Sequence, residues 1–423
     1  MNGNTPPEHT TLAATSSMVA CEQTTLAATG NAFVAQAFRQ IEPDAICAYP
    51  ITPQTTIVEE IALMVANGEI TTEYVCVESE HSALSATIGA AAAGARAYTV
   101  TASQGLALMW EELHIASGLR LPIVMANANR ALSAPINIHG DHSDIMGARD
   151  TGWIMFIAEN PQEAYDNTIM STAVAESVML PVMTTLDGFI TSHCIMRGDI
   201  VDDATVKRFV GRYSPSDSLL FGQPVTVGGF ANLGSGYMKV KKAQRDAMDE
   251  ALPVIKDVGD RWAEITGRSF DHIECYGIQD AEVAIVVMGS AAGNARAVAR
   301  NLRQKGQRVG IVKVRTYRPF PADDIAKALS KVAAIAVMDR AETFSSQAGP
   351  LGLDVMSALY SSGMNTPVRT YMYGLGGNDL ALEQIYQVFS DLYKVDSDGV
   401  VGVANKSPRY LGIGGSNDSA EGK

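Results

Sequence analysis

Residues 74–105 read YVCVESEHSALSATIGAAAAGARAYTVTASQG, and their pattern decides the fold class. Tyr74–Val77 is a short apolar run. It gives way at Ser79 and Glu80 to an Ala- and Gly-rich helix over about 80–93. Ala97–Thr101 forms a second strand, and Ser103, Gln104 and Gly105 turn it into a helix over 104–117. Strand, helix, strand and helix in such quick succession is an α/β pattern with parallel strands. Both strand-to-helix junctions then lie at the carboxyl edge of one sheet, where ligands bind in this class of fold.

The same unit occurs upstream. Ala45–Ala48 is a buried strand and AYPITPQTT follows it. Thr52 has the chemistry of a helix N-cap, and Pro53 suits a first helical position because its missing N–H costs nothing there. Ile57, Val58, Ile61, Met64 and Val65 repeat at helical spacing, so a helix is expected over 53–66. An open helix N-terminus beside a hydroxyl suits an anion, and Thr52, Glu80 and Ser103 should share one rim.

Downstream, Leu121–Met125 is read as a strand, 127–150 as a long loop, Ile154–Ala158 and Leu180–Thr185 as strands, and 161–176 as a helix. Residues 239–265 are charged and helical in period, and are expected to form a helix pair broken near Pro253. A second α/β unit follows, with strands at 283–288, 309–314, 333–338 and 368–373 and helices at 291–305, 322–331, 350–361 and 380–392. Two doubly wound domains are expected: an extension over 1–30, a first domain over 31–240, a helical connector over 241–269, a second domain over 270–395 and a tail over 396–423. TTLAAT occurs twice in the extension, at 10–15 and 24–29.

The 423 residues carry a net charge of −14, which argues against a nucleic-acid protein. No apolar run is long enough to span a membrane and no signal-peptide pattern is visible, so a cytoplasmic protein is expected. Cys21, Cys47, Cys76, Cys194 and Cys275 are too scattered for a metal or cluster motif. His139, Asp141, His142 and Asp144 crowd together, but Gly140 interrupts them, and a structured loop is preferred to a metal site. Gly374-Leu-Gly376-Gly377 lacks the spacing of a dinucleotide fingerprint. Gly289–Gly293 is a better anion turn, although a tight strand-to-helix turn also explains it. For Glu80, capping of the helix dipole is the competing reading, and it predicts an exposed side chain.

YPITPQT, VESEHSA, TASQGLALM, RLPIVM, GDHSDIMGARDTGW and LDGFITSH occur in this order, with VMDRAETF and GPLGLDV in the second unit. Over roughly 31–395 the chain resembles the alpha subunits of 2-oxoacid:ferredoxin oxidoreductases, the pyruvate enzymes most and the branched-chain (2-oxoisovalerate) enzymes next. The resemblance implies a thiamine diphosphate (pyrimidine)-binding fold in the first domain and a transketolase C-terminal-like second domain. A glutamate at the Glu80 position would bond the pyrimidine ring nitrogen and favour the imino tautomer that accepts the thiazolium C2 proton. Thr52 and Arg130 would take the substrate carboxylate, and Ser103, Gln104 and Gly105 would contact the cofactor.

The resemblance also implies coenzyme A as acyl acceptor and electron transfer through 4Fe-4S clusters to ferredoxin. A GDG…N diphosphate motif and cluster cysteines are missing from the sequence, so a beta subunit should carry the diphosphate, the Mg2+ and a cluster. Gamma and delta subunits or domains, and a dimer of heteromers, are implied in the same way. A non-catalytic scaffold and a nucleotide-binding regulator remain the rival classes.

Overall fold

The computed structural model describes residues 22–231, 233–397 and 407–413. The first copy of TTLAAT lies outside them. The first part of the chain runs β1 (Gln23–Ala28), α1 (Gly30–Ile41), β2 (Ala45–Ala48), α2 (Thr55–Ala66), β3 (Glu73–Cys76) and α3 (Glu80–Ala92). It continues through β4 (Ala97–Thr101), α4 (Ser103–Leu108), α5 (Trp110–Gly118), β5 (Val124–Asn129), α6 (Ser143–Ala148), β6 (Ile154–Ala158) and α7 (Pro161–Val178). It closes with β7 (Val182–Asp187), β8 (Met196–Val201), α8 (Asp203–Val210) and α9 (Gly236–Thr266). The second part runs β9 (Ile273–Tyr276), β10 (Val283–Met288), α10 (Ala291–Gln304), β11 (Val309–Val314), β12 (Thr316–Arg318) and α11 (Ala322–Leu329). Then come β13 (Ala334–Asp339), α12 (Pro350–Ser361), β14 (Val368–Met372), α13 (Leu382–Ser397) and β15 (Arg409–Tyr410).

The first sheet has the order β12-β6-β7-β5-β4-β2-β3. Every pairing from β6 to β3 is parallel, and β12 runs antiparallel to β6. The second sheet, β15-β14-β13-β10-β11-β9, is parallel except for β9. Strands β4 to β7 and β10, β11 and β13 are buried along their whole length, as sheets covered on both faces require. One face of the first sheet packs on α1, α2, α7 and α9 around Phe33, Phe38, Ile57, Ile169 and Trp262. Its other face shares a single core with the second domain, in which Leu84, Leu113 and Trp153 belong with Val286, Val312 and Leu351.

Several expectations are corrected. Residues 23–28 of the presumed extension form β1, antiparallel to β8, and Thr29 caps α1 by accepting a bond from the Ala32 amide. Residues 239–265 lie in one continuous helix that tolerates Pro253, because the proline is exposed and the bond it cannot make faces water. The helix expected over 104–117 divides at Met109 into α4 and α5. The boundary near 270 is crossed, since β12 joins the first sheet. Part of the expected tail also returns, as β15 beside β14.

Candidate functional site

Because β2 to β7 are parallel, their carboxyl ends form one rim. Thr52, Glu80, Ser103 and Arg130 follow β2, β3, β4 and β5 in turn. Thr52 does not cap a helix as expected. Residues 52–54 form a turn, Asn31 Nδ2 donates to the Pro53 carbonyl at 2.7 Å, and α2 begins only at Thr55. A Pro53 carbonyl held from α1 leaves no helical start there. Thr52 is exposed on the rim, and its carbonyl accepts a bond from Arg130 Nη1 at 3.0 Å. The two proposed carboxylate ligands are thus neighbours.

Ser79 caps α3 by accepting a bond from the Ser82 amide. Glu80, the first residue of that helix, is only 7% exposed, against the exposure that simple dipole capping predicts. Its carboxylate accepts no hydrogen bond among the described residues. It lies against Gly105, where an added Cβ would stand 2.7 Å from Glu80 Oε1 and 2.5 Å from Thr101 Oγ1. The Thr101 hydroxyl is itself buried without a partner. An unpaired carboxylate and an unpaired hydroxyl at one glycine leave hydrogen-bonding capacity directed at something other than protein.

Ser103 and Gln104 are directed elsewhere. Ser103 takes a positive φ of 50°, its amide donates to Asp144 Oδ2 at 3.0 Å, and its hydroxyl donates to the Ala131 carbonyl at 2.6 Å. Gln104 Nε2 donates to Ser133 Oγ at 2.7 Å. Both therefore organise the loop that carries Arg130. Of the three residues expected at the cofactor, Gly105 alone faces the Glu80 carboxylate.

Arg130 is 7% exposed. Its amide donates to Asp144 Oδ2 and its Nε to the Asn137 carbonyl, each at 3.0 Å. Burial pulls the guanidinium pKa down and Asp144 opposes the shift, but a guanidinium stays charged. Burial pushes the Asp144 carboxyl up to about 6 despite the bonds it accepts from Asn127, Ser103 and Arg130.

The crowded residues of the loop do not converge. His142 pairs with Asp187, Asp144 serves backbone amides, Asp141 accepts from Ser143 and from the Gly376 amide, and His139 lies against Asn137 and Phe189. The three carboxylates that do converge, Glu159, Glu163 and Glu274, surround the Lys313 ammonium at 2.6–2.7 Å, which fills the place of a cation. The Gly289–Gly293 turn does hold an anion, but an internal one. Asp187 Oδ2 accepts from the Ser290 amide at 2.9 Å and from the Ser290 hydroxyl at 2.5 Å.

Sequence reasoning missed Thr101 and Asn137, and it saw Asp144 only as one of the crowded residues of a structured loop. For Thr101 a signal existed: a hydroxyl ending a strand that is buried on both faces must find a partner or a ligand. For the other two, the partners are backbone groups supplied by the fold.

Residues 36–260 match the family described as pyruvate flavodoxin/ferredoxin oxidoreductase, thiamine diP-bdg, and residues 281–385 match pyruvate:ferredoxin oxidoreductase core domain II. Pyruvate synthase subunit PorA of Thermotoga maritima is 46% identical over 390 residues, 92% of this chain and 98% of its own. Ketoisovalerate oxidoreductase subunit VorA of Pyrococcus abyssi is 42% identical over 372 residues, 88% of this chain and 94% of its own. Among solved structures, 2-oxoglutarate:ferredoxin oxidoreductase from Magnetococcus marinus superposes with a TM-score of 0.63 at 18% identity, over 87% of this chain and 65% of that one. A split gene transketolase gives 0.53 at 14% identity, over 87% of this chain and 97% of its own. At such identities the structures speak for the fold alone.

Proposed function

Because the chain belongs to the pyruvate flavodoxin/ferredoxin oxidoreductase family, we propose that it is the alpha-type subunit of a multi-subunit pyruvate:ferredoxin oxidoreductase. The reaction is the reversible oxidative decarboxylation of pyruvate, with the acetyl group passed to coenzyme A and electrons to ferredoxin. The observation that carries the site is the buried Glu80 carboxylate, without a protein partner, beside Gly105 and the unpaired Thr101 hydroxyl.

These residues fit an aminopyrimidine edge, which needs a carboxyl group at a ring nitrogen and a close approach by backbone. When bound, thiamine diphosphate supplies the nucleophilic carbon and the electron sink. With the cofactor in place, Glu80 would hold a proton shared with the pyrimidine ring nitrogen at one of its carboxylate oxygens. Thr52 and Arg130 orient the substrate carboxylate at the rim. Ser103 and Gln104 hold the loop from which Arg130 reaches.

The diphosphate, its Mg2+ and a 4Fe-4S cluster belong to a beta subunit, with gamma and delta subunits or domains and ferredoxin completing the system. Cys47, Cys76, Cys194 and Cys275 are free thiols. No helix among the described residues is long and apolar enough to cross a membrane, in keeping with a cytoplasmic complex. A branched-chain 2-oxoacid is the second substrate reading, because the VorA relative is nearly as similar as the PorA relative.

Two measurements on the assembled complex test the assignment. Arg130→Ala should lower kcat/KM for pyruvate about tenfold to a hundredfold, since a charge-assisted hydrogen bond contributes about 1.5–3 kcal/mol, and should leave thiamine diphosphate affinity intact. Unchanged turnover of both pyruvate and 2-oxoisovalerate would place the carboxylate elsewhere. Gly105→Ala should weaken thiamine diphosphate binding about tenfold and cost about 1–3 kcal/mol of stability, because its methyl group crowds both Thr101 Oγ1 and Glu80 Oε1. Wild-type affinity by titration calorimetry would remove Gly105 from the cofactor site.

A further inference from the structure

We propose that the glycine turn Gly374–Gly377 of the second domain is a positioning element for Arg130. The inference rests on the reading of Arg130 as the substrate-carboxylate ligand. The turn follows β14, and Gly374, Gly376 and Gly377 all have positive φ, at 62°, 59° and 82°. Side chains rarely adopt such angles.

This turn grips the Arg130 loop from two sides. The Gly376 carbonyl accepts a bond from Asn137 Nδ2 at 2.9 Å, and the Gly376 amide donates to Asp141 Oδ2 at 3.0 Å. Each contact leads on to the site. The Asn137 carbonyl receives Arg130 Nε at 3.0 Å. Asp141 Oδ1 accepts from the Ser143 amide and hydroxyl, and Ser143 Oγ accepts in turn from the Leu132 amide, two residues from Arg130. Behind the turn, Arg340 Nη2 donates to the Gly140 carbonyl at 2.9 Å and Arg340 Nε to the Gly374 carbonyl at 3.2 Å. The second domain therefore fixes both sides of the loop and the stem of the turn that clasps it.

The fit leaves no room for side chains. A Cβ at Gly376 would stand 2.5 Å from Asn137 Nδ2, and one at Gly377 would stand 2.3 Å from His139 Cβ. A guanidinium held at Nε by Asn137 and at Nη1 by Thr52 has a fixed plane, and the plane determines whether a carboxylate meets it in register. The glycines thus serve the substrate site from another domain by a close backbone approach.

The test uses the assembled complex. Asn137→Ala removes the hook to Gly376 but keeps the backbone carbonyl that Arg130 uses. Gly376→Ala attacks the same contact from the other side. Each should raise KM for pyruvate about tenfold, with kcat and thiamine diphosphate affinity near wild type. In an Arg130→Ala background neither should raise KM further, because the effect passes through Arg130. Asn137→Ala keeps the test decisive should Gly376→Ala not fold, which thermal melting reports. A wild-type KM in Asn137→Ala beside a raised KM in Arg130→Ala overturns this inference alone, as does an Asn137→Ala effect that persists undiminished without Arg130. A wild-type kcat/KM for pyruvate in Arg130→Ala overturns the carboxylate reading and this inference with it.

Discussion

Glu80→Gln should leave the complex assembled and able to bind thiamine diphosphate, while exchange of the cofactor's C2 proton slows by about 10²–10⁴-fold. The substitution keeps the shape of a side chain that is 7% exposed and packed against Gly105. It replaces a group that can share a proton with one that can only donate or accept a fixed hydrogen bond. The α3 terminus is capped independently by Ser79, so loss of the charge should cost the helix no more than about 1 kcal/mol. Hydrogen–deuterium exchange at C2, followed by NMR after acid quench, separates this step from binding. Exchange at the wild-type rate would return Glu80 to the role of a helix-dipole partner.

Asp187→Asn should be the most damaging substitution for stability, at about 3–5 kcal/mol, because it strands a buried guanidinium. Asp187 and Arg340 are 1% and 2% exposed and 2.8 Å apart. His142 Nε2 lies 2.7 Å from the other carboxylate oxygen. Burial opposes ionisation of Asp187, but the charges of His142 and Arg340, with the hydrogen bonds from His142 and Ser290, hold its carboxyl well below the usual carboxylate range. A depressed pKa contributes stability that is present above the unfolded value near 3.9 and lost as pH falls below it. Urea midpoints should therefore differ most between wild type and variant above pH 4 and converge in stronger acid. Adding Arg340→Met to Asp187→Asn should cost less than the sum of the singles, since the pair is removed together. Additive losses would show that the contact carries no coupling.

The rim was legible because each of its residues follows a short apolar strand, and strand-to-helix junctions of a parallel sheet gather at one edge. Thr52, Glu80 and Ser103 could be placed there with no knowledge of distances, whereas Arg130, inside a long loop, entered only through the family resemblance. What those side chains do was less legible. Ser103 and Gln104 sit at a proper ligand position yet bond Ala131 and Ser133, and only the path of a long loop decides that. The anion turn at Gly289–Ser290 and the glycine cluster at 374–377 were both visible as backbone features. Their partners, Asp187 and Asn137, lie over a hundred and over two hundred residues away respectively, beyond any local pattern. Pro53 and Pro253 failed as markers for one reason in two forms. Local preference yielded to Asn31 in the first case and to a long packed helix in the second.

The pairing of β12 with β6 also bears on synthesis. Strand β6, Ile-Met-Phe-Ile-Ala, is buried along its whole length, and among the described residues its outer edge pairs with the segment 315–318. A ribosome making the chain at about 5–20 residues per second exposes that apolar edge for many seconds before its cover emerges. Such an edge is a template for pairing with another chain. The nascent first domain therefore needs a chaperone, or slow closure of its sheet, during that interval. Expression of residues 22–270 alone makes the exposure permanent and should send the fragment into inclusion bodies.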